Sequence, residues 1–151
     1  MKSLIVLLVI FFSFTSQKCS SQEQENLKIR FIKKFIETNK NDKLYFNSEE
    51  LFFMGYDQNF EYESFKVIFL DSEKLNELIK NKKKLYVFSM SEPYIKEGKI
   101  KVFFDYLIAS KKPDNELDLV SLHNMNAIYC MIFDCKLNKY IIEWCGTPLA
   151  D

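Results

Sequence analysis

The stretch that decides the fold reads Ile-Lys-Val-Phe-Phe-Asp-Tyr-Leu-Ile and covers residues 100–108. Every second residue, counted from the first, is aliphatic or aromatic, while Lys101 and Asp105 lie among the residues between them. This two-residue period predicts a long β-strand with one uniformly apolar face, and we expect that face to pack against helices. An earlier apolar run at 85–90 leads into it through Glu97-Gly98, a pattern that predicts a β-hairpin.

Two segments before this strand have the spacing of amphipathic helices. Residues 27–38 place apolar side chains three to four positions apart, with basic residues between them, and residues 71–80 repeat the pattern. We interpret the basic side of the first helix as a solvated face opposite a core-packed stripe, rather than as a membrane-surface helix. Asn47 and the acidic residues after it resemble a capping box, which predicts a third, short helix that ends at Gly55.

Further strands are predicted in four runs of β-forming residues: 43–46, 66–70, 127–134 and 140–145, the last two as a hairpin. The aromatic and acidic stretch 56–65 has no regular period and is predicted to be a loop. The stretch 111–124 is also predicted to be a loop, although residues 117–120 can add a short strand. The predicted fold class is α+β, with two to three helices packed on one face of an antiparallel sheet of four to five strands in two layers.

The first 21 residues have the pattern of a secretory signal peptide. Lys2 precedes an unbroken apolar run at 4–12, about half of the ~20 residues that a membrane-spanning helix needs. Cys19 lies where a bacterial lipoprotein carries its lipidated cysteine, and a lipid there would tether the chain to a membrane. Cleavage after Ser21 would instead release the chain as an ordinary secreted protein.

The sequence thus predicts a leader at 1–21, or at 1–18 if Cys19 is lipidated, and a single α+β domain at 22–151. We expect the protein to be exported, either to the cell envelope as a periplasmic or outer-membrane lipoprotein or into the medium. In such compartments cysteine pairs can form disulfides. The remaining cysteines therefore become candidates for pairing.

Cys130 and Cys145 are the pair that the last hairpin can bring together. A two-residue turn at Leu137-Asn138 would place them opposite each other, ~4.5 to 5.5 Å apart as cross-strand partners, which is close enough for a disulfide. A turn that differs by one residue would place Cys130 opposite Trp144 and leave it as a small core residue. Both registers remain open from the sequence.

Metal binding and cysteine catalysis are weaker interpretations of the same region. Cys130 and Cys135 are close in sequence but lack the additional clustered ligands that a zinc site usually needs. A nucleophilic cysteine paired with His123, the single histidine, is conceivable, but we interpret His123 as a loop or edge residue. No metal ligand is predicted.

Acid–base catalysis by paired carboxylates is the remaining enzymatic interpretation. Glu92, Asp105 and Glu143 lie on or beside predicted strands, but sequence spacing alone does not bring two of them together, and solvated carboxylates are far commoner. With only three glycines, the chain can hardly build a phosphate-binding loop, and it contains no serine-nucleophile elbow or zinc-protease motif. No catalytic residue and no cofactor are predicted.

The C-terminal part of the chain carries a resemblance. A turn of the form S-x-P at Ser91-Glu92-Pro93 precedes the long strand, a cysteine-bearing strand follows at 128–135, and a tryptophan strand closes the hairpin at 139–144. In these features residues 84–145 resemble small uncharacterised bacterial proteins that are exported or lipid-anchored. Such proteins usually carry a glycine in the last turn, where this chain has Asn138. The resemblance implies export and no particular activity.

Charge and composition limit the function classes. The 21 Lys+Arg balance the 21 Asp+Glu, so the chain has no global field that would attract nucleic acid. Our first interpretation is an exported, non-enzymatic domain that binds a protein or cell-envelope partner. The alternatives are an inhibitor or immunity protein that masks a toxin or hydrolase, and a small hydrolase. An exposed apolar patch would favour binding, an acidic cluster would favour masking of a basic partner, and a cavity with paired catalytic groups would favour an enzyme.

Overall fold

The computed structural model of the protein describes residues 26–43, 46–55, 57–122 and 126–147, so the predicted leader, Cys19 and His123 lie outside the described residues. Two helices, α1 (Leu27–Asn39) and α2 (Ser72–Asn81), pack on one sheet. Its nine strands are β1 (Glu50–Met54), β2 (Phe60–Tyr62), β3 (Phe65–Leu70), β4 (Lys84–Met90), β5 (Tyr94–Lys96), β6 (Lys99–Lys111), β7 (Leu117–Ser121), β8 (Ala127–Asp134) and β9 (Lys139–Gly146). Within these ranges neither helix is long and apolar enough to cross a membrane.

The sheet is mixed rather than antiparallel. Its main path runs β2-β3-β1-β4-β6-β8-β9, and β5 and β7 each pair with β6. Strand β1 runs parallel to both β3 and β4, whereas the other pairings are antiparallel. The predicted two-layer α+β fold with four to five antiparallel strands is therefore wrong, since the described chain is 50% strand and 20% helix.

The parallel part of the sheet arises from one crossover connection. Helix α2 carries the chain from the end of β3 back to the start of β4, so these two strands run in the same direction. Strand β1 fills the space between them, with Leu51 opposite Val67 and Phe53 opposite Phe88. Hairpin reasoning missed this arrangement because β1 precedes both partners in sequence and joins neither of them through a short turn.

Helix α1 covers one face of the sheet. Its four buried residues, Phe31, Ile32, Phe35 and Ile36, recur at helical spacing, as predicted. The Phe35 ring stacks on the ring of Phe104 in β6, with centroids 4.5 Å apart and planes within 8°. The same core contains buried residues from five strands: Phe53, Val67, Phe88, Val102, Phe104, Tyr106 and Tyr129. The prediction that the apolar face of residues 100–108 packs against a helix is confirmed.

Helix α2 covers the opposite face. Leu75 and Ile79 are buried there in a second, smaller core with Leu70, Leu85, Val87 and Ala109. Because strand side chains alternate between faces, the neighbours Phe69 and Leu70 belong to different cores. The helix begins where it was predicted, but the expectation that the helices share one face is wrong.

Two local predictions are also wrong. Residues 47–55 contain strand β1 instead of a short helix, because Leu51 and Phe53 pack towards α1 while Phe52 packs towards α2. A continuous apolar run of this kind is typical of a strand that is covered on both faces. The predicted loop at 56–65 contains strand β2.

The sheet curves around α1. A flat path of seven strands would span about 29 Å, because neighbouring strands lie ~4.8 Å apart, whereas Arg30 and Glu37 lie only about 10 Å apart along the axis of α1. Nevertheless α1 contacts both ends of the path: Glu37 bonds to Tyr62 of β2, and Arg30 bonds to Tyr140 of β9. The two edge strands therefore approach each other across the outer side of α1.

Candidate functional site

An open groove lies where α1 runs between the two sheet edges, with a volume of about 430 Å³. We call it the basic groove, and it is lined by Arg30, Lys33, Lys34, Glu37, Tyr62, Lys139, Tyr140, Ile141 and Ile142. Four cationic side chains thus surround it against a single carboxylate. The residues that we interpreted as a merely solvated side of α1 form most of this charge.

The one carboxylate of the groove is already engaged. The Tyr62 hydroxyl donates to Glu37 Oε1 at 2.5 Å, and Lys34 Nζ lies 3.3 Å from Glu37 Oε2. The hydrogen bond from Tyr62, assisted by Lys34, holds the pKa of the Glu37 carboxyl below its usual value. Glu37 can therefore neutralise only part of the positive charge.

The β2 side of the groove is closed by contacts with α1. Lys33 Nζ lies 5.2 Å from the centroid of the Tyr62 ring, and Lys40 Nζ lies 2.8 Å from Glu63 Oε2 in the turn after β2.

At the other end of the helix, Lys28 Nζ donates to Glu92 Oε1 at 2.7 Å. This hydrogen bond raises the pKa of Lys28, which keeps the ammonium charged.

The β9 side presents a strand edge. Four consecutive residues of β9, from Lys139 to Ile142, line the groove, and successive strand residues point to opposite faces. The groove therefore follows the backbone edge of the strand instead of either of its faces. Arg30 Nη2 donates to the Tyr140 carbonyl at 3.4 Å, so a β9 backbone acceptor lies at the groove.

Large apolar side chains lie exposed along this edge. Tyr140 is 58% exposed, Trp144 is 56% exposed, and Phe133 of the neighbouring strand is 47% exposed. The rings of Phe133 and Tyr140 form an edge-to-face pair with centroids 5.2 Å apart. They lie on the α1 side of the sheet, because Trp144 is opposite Tyr129, whose side chain belongs to the α1 core. We call β9 together with these three aromatic side chains the β9 edge.

A disulfide fixes the β9 edge to the sheet. Cys130 of β8, only 1% exposed, is bonded to Cys145 of β9, with their Cα atoms 5.9 Å apart. A disulfide between these two residues, which the sequence left as one of two open interpretations of the last hairpin, is present. It is compatible with an exported protein, because such bonds persist in oxidising compartments.

The register of the last hairpin differs from both predicted registers. Its turn contains four residues, 135–138, so Cys130 lies opposite Glu143 rather than opposite Cys145 or Trp144. A bulge next to Tyr129 shifts the end of β9 and brings Cys145 beside its partner. Asn138 adopts a φ of 49°, a left-handed conformation that asparagine tolerates in turns.

The other candidate residues are not brought together. Glu92 accepts a hydrogen bond from Lys28, and Asp105 accepts one from Ser121 at 2.7 Å, while Glu143 is exposed on β9. Cys135 is an exposed free thiol in the last turn. Among the described residues, no group of three His, Cys, Asp or Glu side chains is placed to hold a metal ion.

A smaller cavity of about 180 Å³ lies at the start of β1 and β4. Lys82 and Lys84 line it together with Glu50, and the ring of Tyr86 stacks on Tyr106 beside it. Charges of both signs meet there, so the cavity favours no class of ligand. The basic groove has the clearer chemical preference.

Sequence reasoning missed the basic groove for an identifiable reason. The cations of α1 and the aromatic residues of β9 are about 100 positions apart, and only the curvature of the sheet joins them. A local signal did exist in the last hairpin, where Tyr140 and Trp144 each lie two residues from Ile142 on one face of the strand. No protein-family model matches the sequence, and comparisons with the curated proteins and with the solved structures find no match.

Proposed function

We propose that the protein is an exported, non-enzymatic domain that binds a protein partner through the β9 edge and the basic groove. The observation that carries this proposal is the exposure of Tyr140 and Trp144 on an eight-residue edge strand, with exposed Phe133 beside Tyr140 on β8. Aromatic residues are enriched in the cores of protein interfaces, where their large surfaces are removed from water. Their position beside four cations gives the surface both an apolar and a charged part.

Edge strands normally carry protection against association. Proteins shorten them, place charged residues on them or cover them, because unpaired backbone groups can pair with another chain. The β9 edge is long and carries two aromatic side chains that are more than half exposed. A surface of this kind is expected where association with a partner is the function.

The surface is also rigid before it binds. The disulfide joins β9 to β8, and the two strands pair along most of their length. A preformed surface loses little conformational freedom on binding, so more of the contact energy contributes to affinity. This rigidity supports a binding role.

Export remains part of the proposal. The signal-peptide pattern at 1–21 supports it, and the disulfide is compatible with it. Lipidation of Cys19 would hold the domain at the cell envelope, whereas cleavage after Ser21 would release it. Mass spectrometry of the processed protein separates these outcomes, and an intact precursor that stays in the cytosol contradicts export.

The two alternative functions gain less support from the geometry. An inhibitor that masks a basic partner requires an acidic surface cluster, but the groove has the opposite charge. A hydrolase requires catalytic groups in one cavity, but Glu92 and Asp105 have separate partners, Lys28 and Ser121. The geometry therefore supports the binding role better than either alternative.

Site-specific photocrosslinking in the cells that produce the protein tests the proposed surface. A benzophenone amino acid replaces Trp144 in one variant and Glu77, an exposed residue of α2 on the other face, in a matched control. We expect an adduct of defined mass with a different protein at position 144 and none at position 77. Absence of an adduct at position 144, or the same adducts at both positions, would contradict the proposal.

A further inference from the structure

We infer that the partner contributes an extended, acidic segment, which adds to β9 as a further strand and places its carboxylates over α1. This inference rests on the proposed function, because it names the chemistry of the partner at the same surface. Three features carry it: the strand edge that lines the groove, the excess of cations, and the spacing of those cations.

The first feature is the backbone of β9. In the described part of the chain, β9 pairs with β8 and forms one end of the sheet path. An added strand would pair with the other side of β9, as in other cases where a peptide extends a sheet edge. Its N–H group can replace Arg30 at the Tyr140 carbonyl, because that contact is long at 3.4 Å and therefore weak.

The second feature is the charge that this exchange exposes. Once Arg30 leaves the carbonyl, its guanidinium is available to a carboxylate, which can accept two parallel hydrogen bonds from it. Lys139 lines the same groove, and Lys34 shares its only groove carboxylate, Glu37, with Tyr62. An incoming acidic strand would complete the charge balance that Glu37 leaves incomplete.

The third feature is distance. Alternate residues of a strand lie about 7 Å apart along its axis and point to the same face. Residues four apart in a helix, such as Arg30 and Lys34, lie about 6 Å apart along the helix axis and also share a face. A segment with an acidic residue at every second position therefore matches the row of cations on α1.

A second copy of this chain fits the same surface poorly. Pairing of two β9 edges about a twofold axis would bring the Arg30, Lys34 and Lys139 side chains of both copies into one region. Like charges at such an interface are unfavourable and select against that partner. The charge thus favours a different, acidic chain over self-association.

The test uses the intrinsic fluorescence of Trp144, the single tryptophan of the chain. Purified protein is titrated with three blocked octapeptides: alternating Glu-Val, alternating Lys-Val, and Glu-Val with every second backbone nitrogen methylated. We expect the Glu-Val peptide to bind saturably and to change the emission of Trp144, because the added strand lies beside the indole. The Lys-Val and N-methylated peptides should bind at least tenfold more weakly, since they lose the charge match and the strand hydrogen bonds respectively.

Paired variants locate the site. The double variant K33Q/K34Q should raise the Kd for the Glu-Val peptide by about tenfold, because two cations of the groove are lost. The matched double variant K80Q/K83Q removes two exposed cations on and just after α2 and should leave the Kd unchanged. Raising the salt concentration from 0.1 to 1 M should weaken binding in the parent protein, since the screening length falls from ~10 to ~3 Å.

The contrary outcomes are distinct. Equal binding of the Glu-Val and Lys-Val peptides would overturn the acidic partner, and equal binding of the N-methylated peptide would overturn strand addition. Tighter binding of an oligothymidylate would assign the cations to a nucleic acid instead. Crosslinks between two copies at position 144 would replace the acidic partner with self-association. If position 144 crosslinks to another protein but no acidic peptide binds, only the present inference fails and the proposed function stands.

Discussion

The two edges of the sheet are built in opposite ways. Strand β2 has three residues, and its Tyr62 is tied to α1 by the hydrogen bond to Glu37 and by the nearby Lys33 ammonium. Strand β9 has eight residues, and its Tyr140 and Trp144 are more than half exposed. One helix thus contacts both edges, but it closes the first and leaves much of the second open.

The comparison shows how an edge is protected. At β2, short length and side-chain contacts with α1 leave little backbone for another chain to approach. At β9, a disulfide supplies the stability, so the outward side of the strand need not be covered to stay in place. Stability and accessibility are separate properties of an edge, and the two edges combine them differently.

The largest expected change in the free energy of unfolding comes from a substitution in the core of α1, the helix that contacts both edge strands. Phe35 lies at the centre of the α1 core, stacked on Phe104 and with its ring centroid 5.1 Å from that of Phe88. The substitution F35A should lower the free energy of unfolding by about 3–5 kcal/mol, because a large buried ring is lost and a cavity remains. Urea unfolding measures this change, and exposed Ile95 provides the control I95A, which should have little effect. A loss below about 1 kcal/mol for F35A would show that α1 is not the common support.

The second-largest effect is expected from removal of the disulfide, which should loosen β9 but not β2. The double variant C130A/C145A removes a bond between residues 15 positions apart, a change expected to cost about 3 kcal/mol. Hydrogen exchange should become faster at β9 amides and remain similar at β2 amides. The control C135A changes an exposed free thiol and should alter neither. Equal acceleration at both edges would contradict the separate stabilisation of β9.

A smaller loss of stability is expected when the hydrogen bond between α1 and β8 is removed. Strand β8 is the neighbour that supports β9. The buried Tyr129 hydroxyl accepts a hydrogen bond from Asn39 Nδ2 at 2.9 Å, so Y129F should cost about 1 kcal/mol at neutral pH. Burial raises the pKa of Tyr129, which means that the unfolded chain ionises first as pH rises above 10. The parent protein should therefore lose stability above pH 10, and its advantage over Y129F should shrink there. Urea unfolding at pH 8 and pH 11 measures the difference, and a constant difference would contradict it.

The smallest effect concerns the contact that closes β2. The pKa of Glu37 is lowered by the hydrogen bond from Tyr62, so ionised Glu37 stabilises the fold above the ordinary carboxyl pKa. This contribution is lost as pH falls through the lowered pKa of the folded state. Because the side chain is 41% exposed, E37Q should cost only about 0.5 kcal/mol or less at pH 7. Unfolding at decreasing pH should show the parent and E37Q converging, and Y62F should behave like E37Q.

Periodicity predicted those elements whose signal is local. Phe31, Ile32, Phe35 and Ile36 have helical spacing and are all buried. The predicted alternation along β6 matches the burial of Val102, Phe104 and Tyr106, whereas buried Ala109 belongs to the opposite face. The Glu97-Gly98 turn adopts positive φ at both residues, as a two-residue hairpin turn requires, although it joins β5 to β6. The pairing of Cys130 with Cys145 was also within reach, because both lie in one hairpin.

Features that depend on distant pairing were not predicted. The insertion of β1 between β3 and β4 made the sheet mixed, and the apolar run Leu51 to Met54 fits a helix and a buried strand equally well in a short window. The hairpin register failed because a four-residue turn with a bulge replaced the assumed two-residue turn. The basic groove could not be predicted from α1 alone, since strand order decides which edge lies beside it.

The same long-range packing sets the order of events when the chain is made. Asn39 of α1 meets Tyr129 of β8 across 90 positions, and Phe35 stacks on β6. While the chain emerges from the ribosome, the apolar stripe of α1 therefore cannot be fully covered until β6 and β8 have been synthesised. Such non-local topologies fold slowly, and the interval leaves apolar side chains of α1 open to aggregation until their partner strands arrive.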